Sequence, residues 1–203
     1  MTTPTPAPRR PLLEAAMQPL ILLAVIWAVQ FVNVIVRYRL NYTFGVEAWD
    51  PPGLIGLVTS PFLHSGWGHI IANSVPFAIL GVLIAFEGTR RYWIVTGITA
   101  ASSGIFAWVI NSPGTVTVGA SGVVFGYFGY LMVRAFFAPS VGRGILYGAI
   151  ALVVGSLYGA TMLTGIFAAG ANVSWQGHVG GAIGGAIAAH ALRPKRRPIV
   201  GSA

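Results

Sequence analysis

The sequence predicts an all-α polytopic membrane protein with six transmembrane helices. The chain has 203 residues, of which 55% are hydrophobic and only 8% are charged, whereas soluble domains carry about 25% charged residues. Its mean hydropathy is +0.76. Six segments are apolar, nearly free of charge and close to the roughly 20 residues that a helix needs to cross a bilayer. Because lipid offers backbone groups no hydrogen-bond partners, all six should be helical.

The predicted spans are residues 20–36, 68–86, 92–110, 121–137, 144–167 and 177–192. Together they form one membrane domain, residues 19–192. Residues 1–18 are predicted to be a disordered cytoplasmic tail, because their start is polar and rich in Pro and Thr. Residues 193–203 form a basic cytoplasmic tail. The first apolar segment lacks a convincing cleavage site, which favours an uncleaved span over a signal peptide.

The distribution of Lys and Arg predicts that both termini are cytoplasmic. With six spans, one side of the membrane carries most of the basic residues: Arg9, Arg10, Arg90, Arg91, Arg134, Arg143, Arg193, Lys195, Arg196 and Arg197. The other side carries Arg37 and Arg39, beside the acidic Glu47 and Asp50. The long apolar loop at 37–67 is therefore expected outside, partly in the membrane interface.

The composition also excludes several classes of function. A formal net charge of +8 would suit nucleic-acid binding, but the basic residues lie between apolar segments, where orientation signals belong. The chain has no cysteine, which excludes disulfides and thiol chemistry. Since no amphipathic transit leader is present, the plasma membrane of a bacterium or archaeon is favoured over an organelle.

Four polar side chains fall at one depth in this topology. His69 and Asn73 lie in the first turns of the second span, Ser121 begins the fourth, and His178 begins the sixth. Even-numbered spans start at the outer face, so all four should lie near the outer surface. Polar groups inside spans are candidates for function. A transporter would instead spread them through the bilayer.

Ser121 lies in the motif Gly-Ala-Ser-Gly. The flanking glycines allow the backbone to approach a reacting carbonyl closely. Free N–H groups and the positive end of the helix dipole at a helix start can stabilise an oxyanion. A serine here is also an ordinary helix N-cap, so both roles stay open for Ser121 taken alone.

His178 is the candidate general base, since a neutral imidazole near a serine hydroxyl makes the oxygen nucleophilic. Gly181 and Gly185 follow on its helix, and Gly122 and Gly126 offer a matching strip after the serine. If the two strips meet, Ser121 and His178 come together at the top of the contact. The same glycines are equally suited to helix packing alone, and packing and catalysis are compatible.

His69 and Asn73 are four residues apart and share one helix face. Both can present N–H donors to a developing oxyanion, although interhelical hydrogen bonding is an equally open role. His64, His69 and His178 could in principle bind a metal. The five-residue spacing of the first two does not place them on one helix face, and no intramembrane carboxylate completes a site. We therefore expect no metal and no cofactor.

No carboxylate lies near these residues in the predicted topology, which indicates a Ser–His dyad rather than a triad. The imidazole then needs another support. Phe125 lies one turn below Ser121, and we expect its ring to stack on His178.

Three motifs in this order resemble the rhomboid family of intramembrane serine proteases. They are H-x4-H-x3-N at 64–73, G-A-S-G at 119–122 and G-H-V-G-G-x3-G at 177–185. The resemblance covers residues 61–191. The sequence departs from the family in two places: the Trp-Arg pair common in the first outer loop is absent from 54–58, and a common tyrosine is replaced by Phe125.

The resemblance implies a six-helix rhomboid-like bundle with Ser121 as nucleophile and His178 as general base. It also implies an oxyanion hole formed by His69, Asn73 and the backbone N–H of Ser121. The expected reaction is cleavage of single-span membrane proteins near the outer membrane face. The alternative is a catalytically inactive rhomboid-like protein that binds membrane proteins; loss of Ser121 or His178 would mark it, and neither is lost.

Overall fold

The computed structural model describes residues 12–138, 140–167 and 174–193, and it is mostly helical. In chain order the helices are α1 (Leu12–Ile35), α2 (Arg39–Phe44), α3 (Gly56–Thr59), α4 (Trp67–Ala85), α5 (Thr89–Ile110), α6 (Ser121–Ala135), α7 (Val141–Phe167) and α8 (Trp175–Ala191). The strands are β1 (Val46–Glu47) and β2 (Val116–Thr117). The six segments predicted to be helical correspond to α1 and α4 to α8, which confirms their helical character.

Three of the described helices are long and apolar enough to cross a membrane: Leu13–Ile35, Trp67–Ala85 and Thr89–Ile110. The chain is therefore an integral membrane protein. That α6, α7 and α8 also span the bilayer, and that both termini are cytoplasmic, stay predictions. With 15 residues, α6 is only about 22 Å long, shorter than the roughly 30 Å hydrocarbon core of a bilayer.

The N-terminal boundary of the first helix was predicted wrongly. Residues 12–18 were assigned to a disordered tail, but α1 already begins at Leu12. The apolar Leu12 and Leu13 and the good helix formers after them let the helix start before the strictly apolar segment. The remaining predictions for the two tails, at 1–11 and 194–203, and for the loop at 168–173 fall outside the described residues.

The loop between α1 and α4 is folded rather than irregular. It contains α2, α3 and the short 3-10 helices Pro52–Ile55 and Ser60–Phe62. Strand β1 pairs antiparallel with β2, so that Val46 lies opposite Thr117. This pairing joins the loop to the segment that leads into Ser121. Two-residue strands are too short to show the alternation that would predict them.

Two tryptophans attach the same loop to the end of α5. The rings of Trp49 and Trp108 stack with centroids 5.9 Å apart. The indole N–H of Trp49 donates to the carbonyl of Asn111 at 3.0 Å, and that of Trp108 donates to the carbonyl of Asp50 at 2.9 Å. The loop between α1 and α4 is therefore attached both to α5 and to β2.

Helix α8 packs backbone to backbone against α6 on one face. A Cβ on Gly181 would overlap the carbonyl oxygen of Gly122, and one on Gly185 would overlap that of Gly126. The two glycine strips therefore meet as the sequence predicts. Between lipid-embedded helices such close van der Waals packing replaces the hydrophobic effect as a source of stability.

Helix α5 covers the other face of α8. Gly180 lies against Phe106 and Gly184 against Ser102, where a Cβ would overlap side-chain carbon atoms. The hydroxyl of Ser102 donates to the carbonyl of Gly180 at 2.7 Å. The small residues of α8 thus let it pack in close contact with both α5 and α6.

An ion-pair cluster lies at the C-terminal ends of α4 and α6, the ends far from Ser121. We call it the Glu87 cluster. Its members are Glu87, Arg91, Tyr130, Arg134 and Tyr147. Glu87 Oε2 accepts from Arg134 Nε at 3.1 Å, from the Tyr130 hydroxyl at 2.6 Å and from Arg91 at 3.2 Å. Arg134 is 2% exposed. The cluster connects the α4–α5 turn to α5, α6 and α7.

Burial by itself would raise the pKa of the Glu87 carboxyl. Hydrogen bonds from Tyr130 and Tyr147 and the adjacent Arg134 outweigh burial, so the pKa of Glu87 lies below its ordinary value of 4.5. Because the native state holds the carboxylate more strongly than the unfolded state, this group stabilises the fold fully above about pH 4.5 and loses that effect as the pH falls towards the native pKa.

Replacing Gly181 by leucine should destabilise the protein, because its side chain would displace the α6 backbone. We expect the unfolding free energy to fall by about 3 kcal/mol, measured by thermal unfolding in detergent. Gly97→Ala is the matched control, since nothing lies within 4 Å of its Cβ position. A Gly181→Leu variant as stable as Gly97→Ala would contradict the packing.

Replacing Glu87 by glutamine should lower stability at neutral pH by about 3 kcal/mol, because Arg134 is left as a buried charge without its carboxylate. The wild-type melting temperature should drop as the pH falls below about 4.5, and the variant should show less of this drop. Melting curves across this pH range test both points. Glu14→Gln, which removes an exposed carboxylate, should keep the wild-type pH dependence; equal pH profiles for both variants would refute the role of Glu87.

Candidate active site

Ser121 and His178, assigned from separate motifs, lie in direct contact. Ser121 is the first residue of α6, and His178 lies in the first turn of α8. Ser121 Oγ is 2.8 Å from His178 Nε2, and His178 is 5% exposed. The distance is that of a hydrogen bond between a nucleophile and its base. It follows from the glycine packing of α6 on α8, which starts one residue after the serine.

Phe125 supports the imidazole of His178. The two rings are stacked with centroids 4.3 Å apart and planes 8° from parallel, which confirms the expected stacking. Phe125 lies one turn after Ser121 on α6, so the same helix carries the serine and fixes the plane of its partner ring. A flat hydrophobic face here restricts rotation of the imidazole without requiring a hydroxyl.

Gly119 shapes the backbone just before the serine. Its φ is +125°, a region that residues with a Cβ rarely adopt. A Cβ here would lie 2.7 Å from His69 Nε2 and 3.7 Å from Ser121 Oγ. The N–H of Gly119 donates to the carbonyl of Ser60 at 2.9 Å. A glycine at this position therefore lets the His69 ring lie against the backbone two residues before the serine.

His69 is thus brought beside Gly119, two residues before the serine, from the first turn of α4. Asn73 follows one turn later on the same helix and is 8% exposed. Among the residues that the structure describes, Asn73 Nδ2 has no hydrogen-bond partner. A buried amide donor without a partner is costly in a resting protein and is available to a ligand.

His64 has a role that the sequence analysis missed. It is fully buried, and its Nε2 accepts from the N–H of Ala120 at 3.4 Å. Its ring meets that of His69 edge to face at 4.9 Å. Burial, together with the charge of a protonated His69, lowers the pKa of His64 to about 3. His64 is therefore neutral, and it holds the backbone N–H of Ala120, the residue before Ser121.

The carbonyl of His64 is held in turn by two buried amides. Asn33 Nδ2 lies 3.4 Å and Asn41 Nδ2 3.3 Å from it, and Asn33 also donates to Asn41 at 2.7 Å. Of the three imidazoles considered as metal ligands, His64 and His178 direct Nε2 at Ala120 and Ser121 instead. The spacing of His64 in the motif could have suggested that His64 has a role. Its contact with Ala120, 56 residues away in the chain, could not be predicted from the sequence.

Asn111, at the end of α5, joins the two segments that carry the serine and the histidine. Its Nδ2 donates to Thr117 Oγ1 at 2.8 Å and to Ser174 Oγ at 3.2 Å. Ser174 is the N-cap of α8 and accepts from the N–H of Gly177 at 3.1 Å. Asn111 is 4% exposed. It therefore ties β2, four residues before Ser121, to the first turn of the His178 helix.

Comparison with known proteins identifies the family. A sequence model of the Rhomboid domain matches residues 51–195. An uncharacterized protein of Mycobacterium tuberculosis is 32% identical over 97% of this chain and 87% of its own length. An uncharacterized protein of Mycobacterium leprae is 33% identical over 86% of this chain and 70% of its own length. The rhomboid protease GluP of Bacillus subtilis is 30% identical over 67% of this chain and 25% of its own length.

The domain match covers most of the chain and includes His64, His69, Asn73, Ser121 and His178. Together with the relatives it establishes that this integral membrane protein belongs to the rhomboid family.

Proposed function

We propose that this rhomboid is an intramembrane serine endopeptidase that cleaves single-span membrane proteins with a Ser121–His178 dyad. The observation that carries the proposal is the 2.8 Å separation of Ser121 Oγ and His178 Nε2. The stacked Phe125 and the neighbouring His69 give this pair the surroundings that nucleophilic catalysis needs.

In the first half-reaction His178 Nε2 takes the proton of the Ser121 hydroxyl while Oγ attacks the scissile carbonyl carbon. The tetrahedral intermediate collapses when His178 gives that proton to the leaving amine, and an acyl-enzyme forms on Ser121. Water then attacks the ester, again with His178 as base, and releases the new carboxyl terminus. Every proton that His178 accepts is returned within the cycle.

The oxyanion is stabilised by His69, Asn73 and the backbone N–H of Ser121. The His69 ring lies beside Gly119, two residues before the serine, and Asn73 offers its buried Nδ2. The N–H of Ser121 is at the start of α6, where no intrahelical acceptor exists and the dipole favours negative charge. Donors that are already desolvated and oriented cost no reorganisation when the charge appears.

In this proposal the dyad faces the extracytoplasmic side of the plasma membrane, with six spans and both termini in the cytoplasm. The excess of Arg at the opposite ends of α4 and α6, around the Glu87 cluster, supports that orientation. The short α6 places its first residue below the outer surface if its other end lies at the inner surface. Substrate enters sideways between helices, with α7, rich in Gly and Ala, as the gate, and is cut after a small residue where its helix unwinds.

Purified protein in liposomes should cleave a generic single-span reporter, whereas Ser121→Ala and His178→Ala should reduce cleavage by about 10⁴-fold or more. Without the nucleophile no acyl-enzyme forms, and without the base the hydroxyl is not activated. The measurement is the rate of product formation on gels, with thermal unfolding showing that both variants are folded.

A serine-reactive fluorophosphonate gives an independent readout. It should label the wild type and leave Ser121→Ala unlabelled. Cleavage retained by Ser121→Ala would refute the assignment of Ser121 as the nucleophile. Wild type that neither cleaves nor takes the label would favour the alternative, a rhomboid-like protein that binds membrane proteins without cutting them.

Asn73→Ala should lower kcat by about 100-fold and leave KM nearly unchanged, because an oxyanion donor acts in the transition state rather than on bound substrate. Steady-state cleavage of the reporter measures both constants. Fluorophosphonate labelling should persist, more slowly, since the dyad is intact. A kcat within twofold of wild type would remove Asn73 from the site.

A further inference from the structure

Ser65 is a polar residue beside the candidate site that neither the motif nor the proposed mechanism uses. It lies two residues before α4, and its Oγ is 3.2 Å from His69 Nδ1. Ser65 is exposed. The hydroxyl therefore contacts the ring nitrogen of His69 that points away from Ser121.

The other side of the same ring lies against Gly119, two residues before the serine. The atoms of His69 closest to the Cβ position of Gly119 are Cε1 and Nε2, both at 2.7 Å. Ser121 Oγ lies 3.7 Å from that position. Nδ1 is thus in hydrogen-bond contact with Ser65, whereas Nε2 lies on the side of Gly119.

The tautomer of His69 decides whether it can stabilise an oxyanion. A neutral imidazole carries one proton, and the nitrogen without it is an acceptor. Only the tautomer with hydrogen on Nε2 presents a donor to the serine side. The hydrogen bond made at one ring nitrogen sets which tautomer forms. A serine hydroxyl can donate to an Nδ1 without hydrogen or accept from one that carries it, and only the first arrangement leaves the hydrogen on Nε2.

The neighbouring His64 cannot perform this task for His69. Its Nε2 accepts from the N–H of Ala120, and its ring meets that of His69 edge to face rather than through a nitrogen. Ser65 is the side chain that the structure places in hydrogen-bond contact with His69 Nδ1.

We propose that Ser65 is a positioning residue: its hydroxyl donates to His69 Nδ1 and thereby holds the proton on Nε2, directed at the place where the oxyanion forms. The catalytic part of this inference rests on the proposed function. The part that concerns the tautomer does not, since it describes the protein without substrate.

The tautomer is measured directly by NMR of the full chain in detergent micelles, with ¹⁵N-labelled histidine. The chain has four histidines, so the imidazole spectrum is simple, and His190→Gln removes the exposed one for assignment. At about pH 8.5 an unperturbed histidine is neutral. We expect wild-type His69 to show hydrogen on Nε2, and Ser65→Ala to show a mixture of both tautomers.

Kinetics test the consequence for the reaction. Ser65→Ala should lower kcat for reporter cleavage about 3- to 10-fold, the effect of one exposed hydrogen bond, with KM unchanged. Ser65→Thr, which keeps a hydroxyl, should restore kcat. In a His69→Ala background, Ser65→Ala should have no further effect, because the residue through which it acts is gone. Ser112→Ala is the matched control and should leave kcat unchanged, since Ser112 is an exposed serine in another loop.

Hydrogen on Nδ1 of wild-type His69, or an unchanged imidazole spectrum in Ser65→Ala, would overturn the inference. So would an equal loss of kcat from Ser65→Ala with and without His69. If the tautomer is as expected but wild type neither cleaves nor takes a fluorophosphonate, the proposed function fails while the role of Ser65 in orienting His69 stands.

Discussion

The backbone contact between α6 and α8 is the constraint on which the rest of the structure depends. Gly122 and Gly126 meet Gly181 and Gly185 so closely that no side chain fits between the helices. Such a contact has one register, and that register puts the first residue of α6 against the first turn of α8. The 2.8 Å separation of Ser121 and His178 therefore needs no carboxylate to hold it. In the proposed dyad, helix packing would align the two side chains as an aspartate does in a triad.

The two ends of the helix bundle are stabilised by different interactions. At one end the Glu87 cluster joins the α4–α5 turn to α5, α6 and α7 through charged hydrogen bonds. At the other end the loop before α4 and the loop before α6 are joined by β1–β2, by Trp49 and by the carbonyl of Ser60. The candidate site lies at this second end. The candidate-site residues on α4 and α6 are thus carried on helices whose far ends are anchored independently of the site.

Much of this arrangement could be predicted from the sequence. The six helical segments follow from apolar length, the glycine strips from four-residue spacing, and the Phe125 stacking from its place one turn after Ser121. Contacts between distant segments could not be predicted, because nothing in a local pattern specifies them. Asn111 with Ser174, Glu87 with Arg134 and His64 with Ala120 are of this kind. The early start of α1 was missed because apolar length marks a span and not the whole helix.

The glycine contact also sets the relative direction of α6 and α8. Gly122 lies near Gly177, and Gly126 lies near Gly181, so α6 and α8 run parallel with their positive dipole ends side by side, whereas α5 runs against both. Two aligned dipoles in contact repel each other, and in a medium of low dielectric constant this repulsion is poorly screened. A negative charge arising between the two helix starts relieves it. The two helix starts together therefore favour a negative charge at that point more than either would alone.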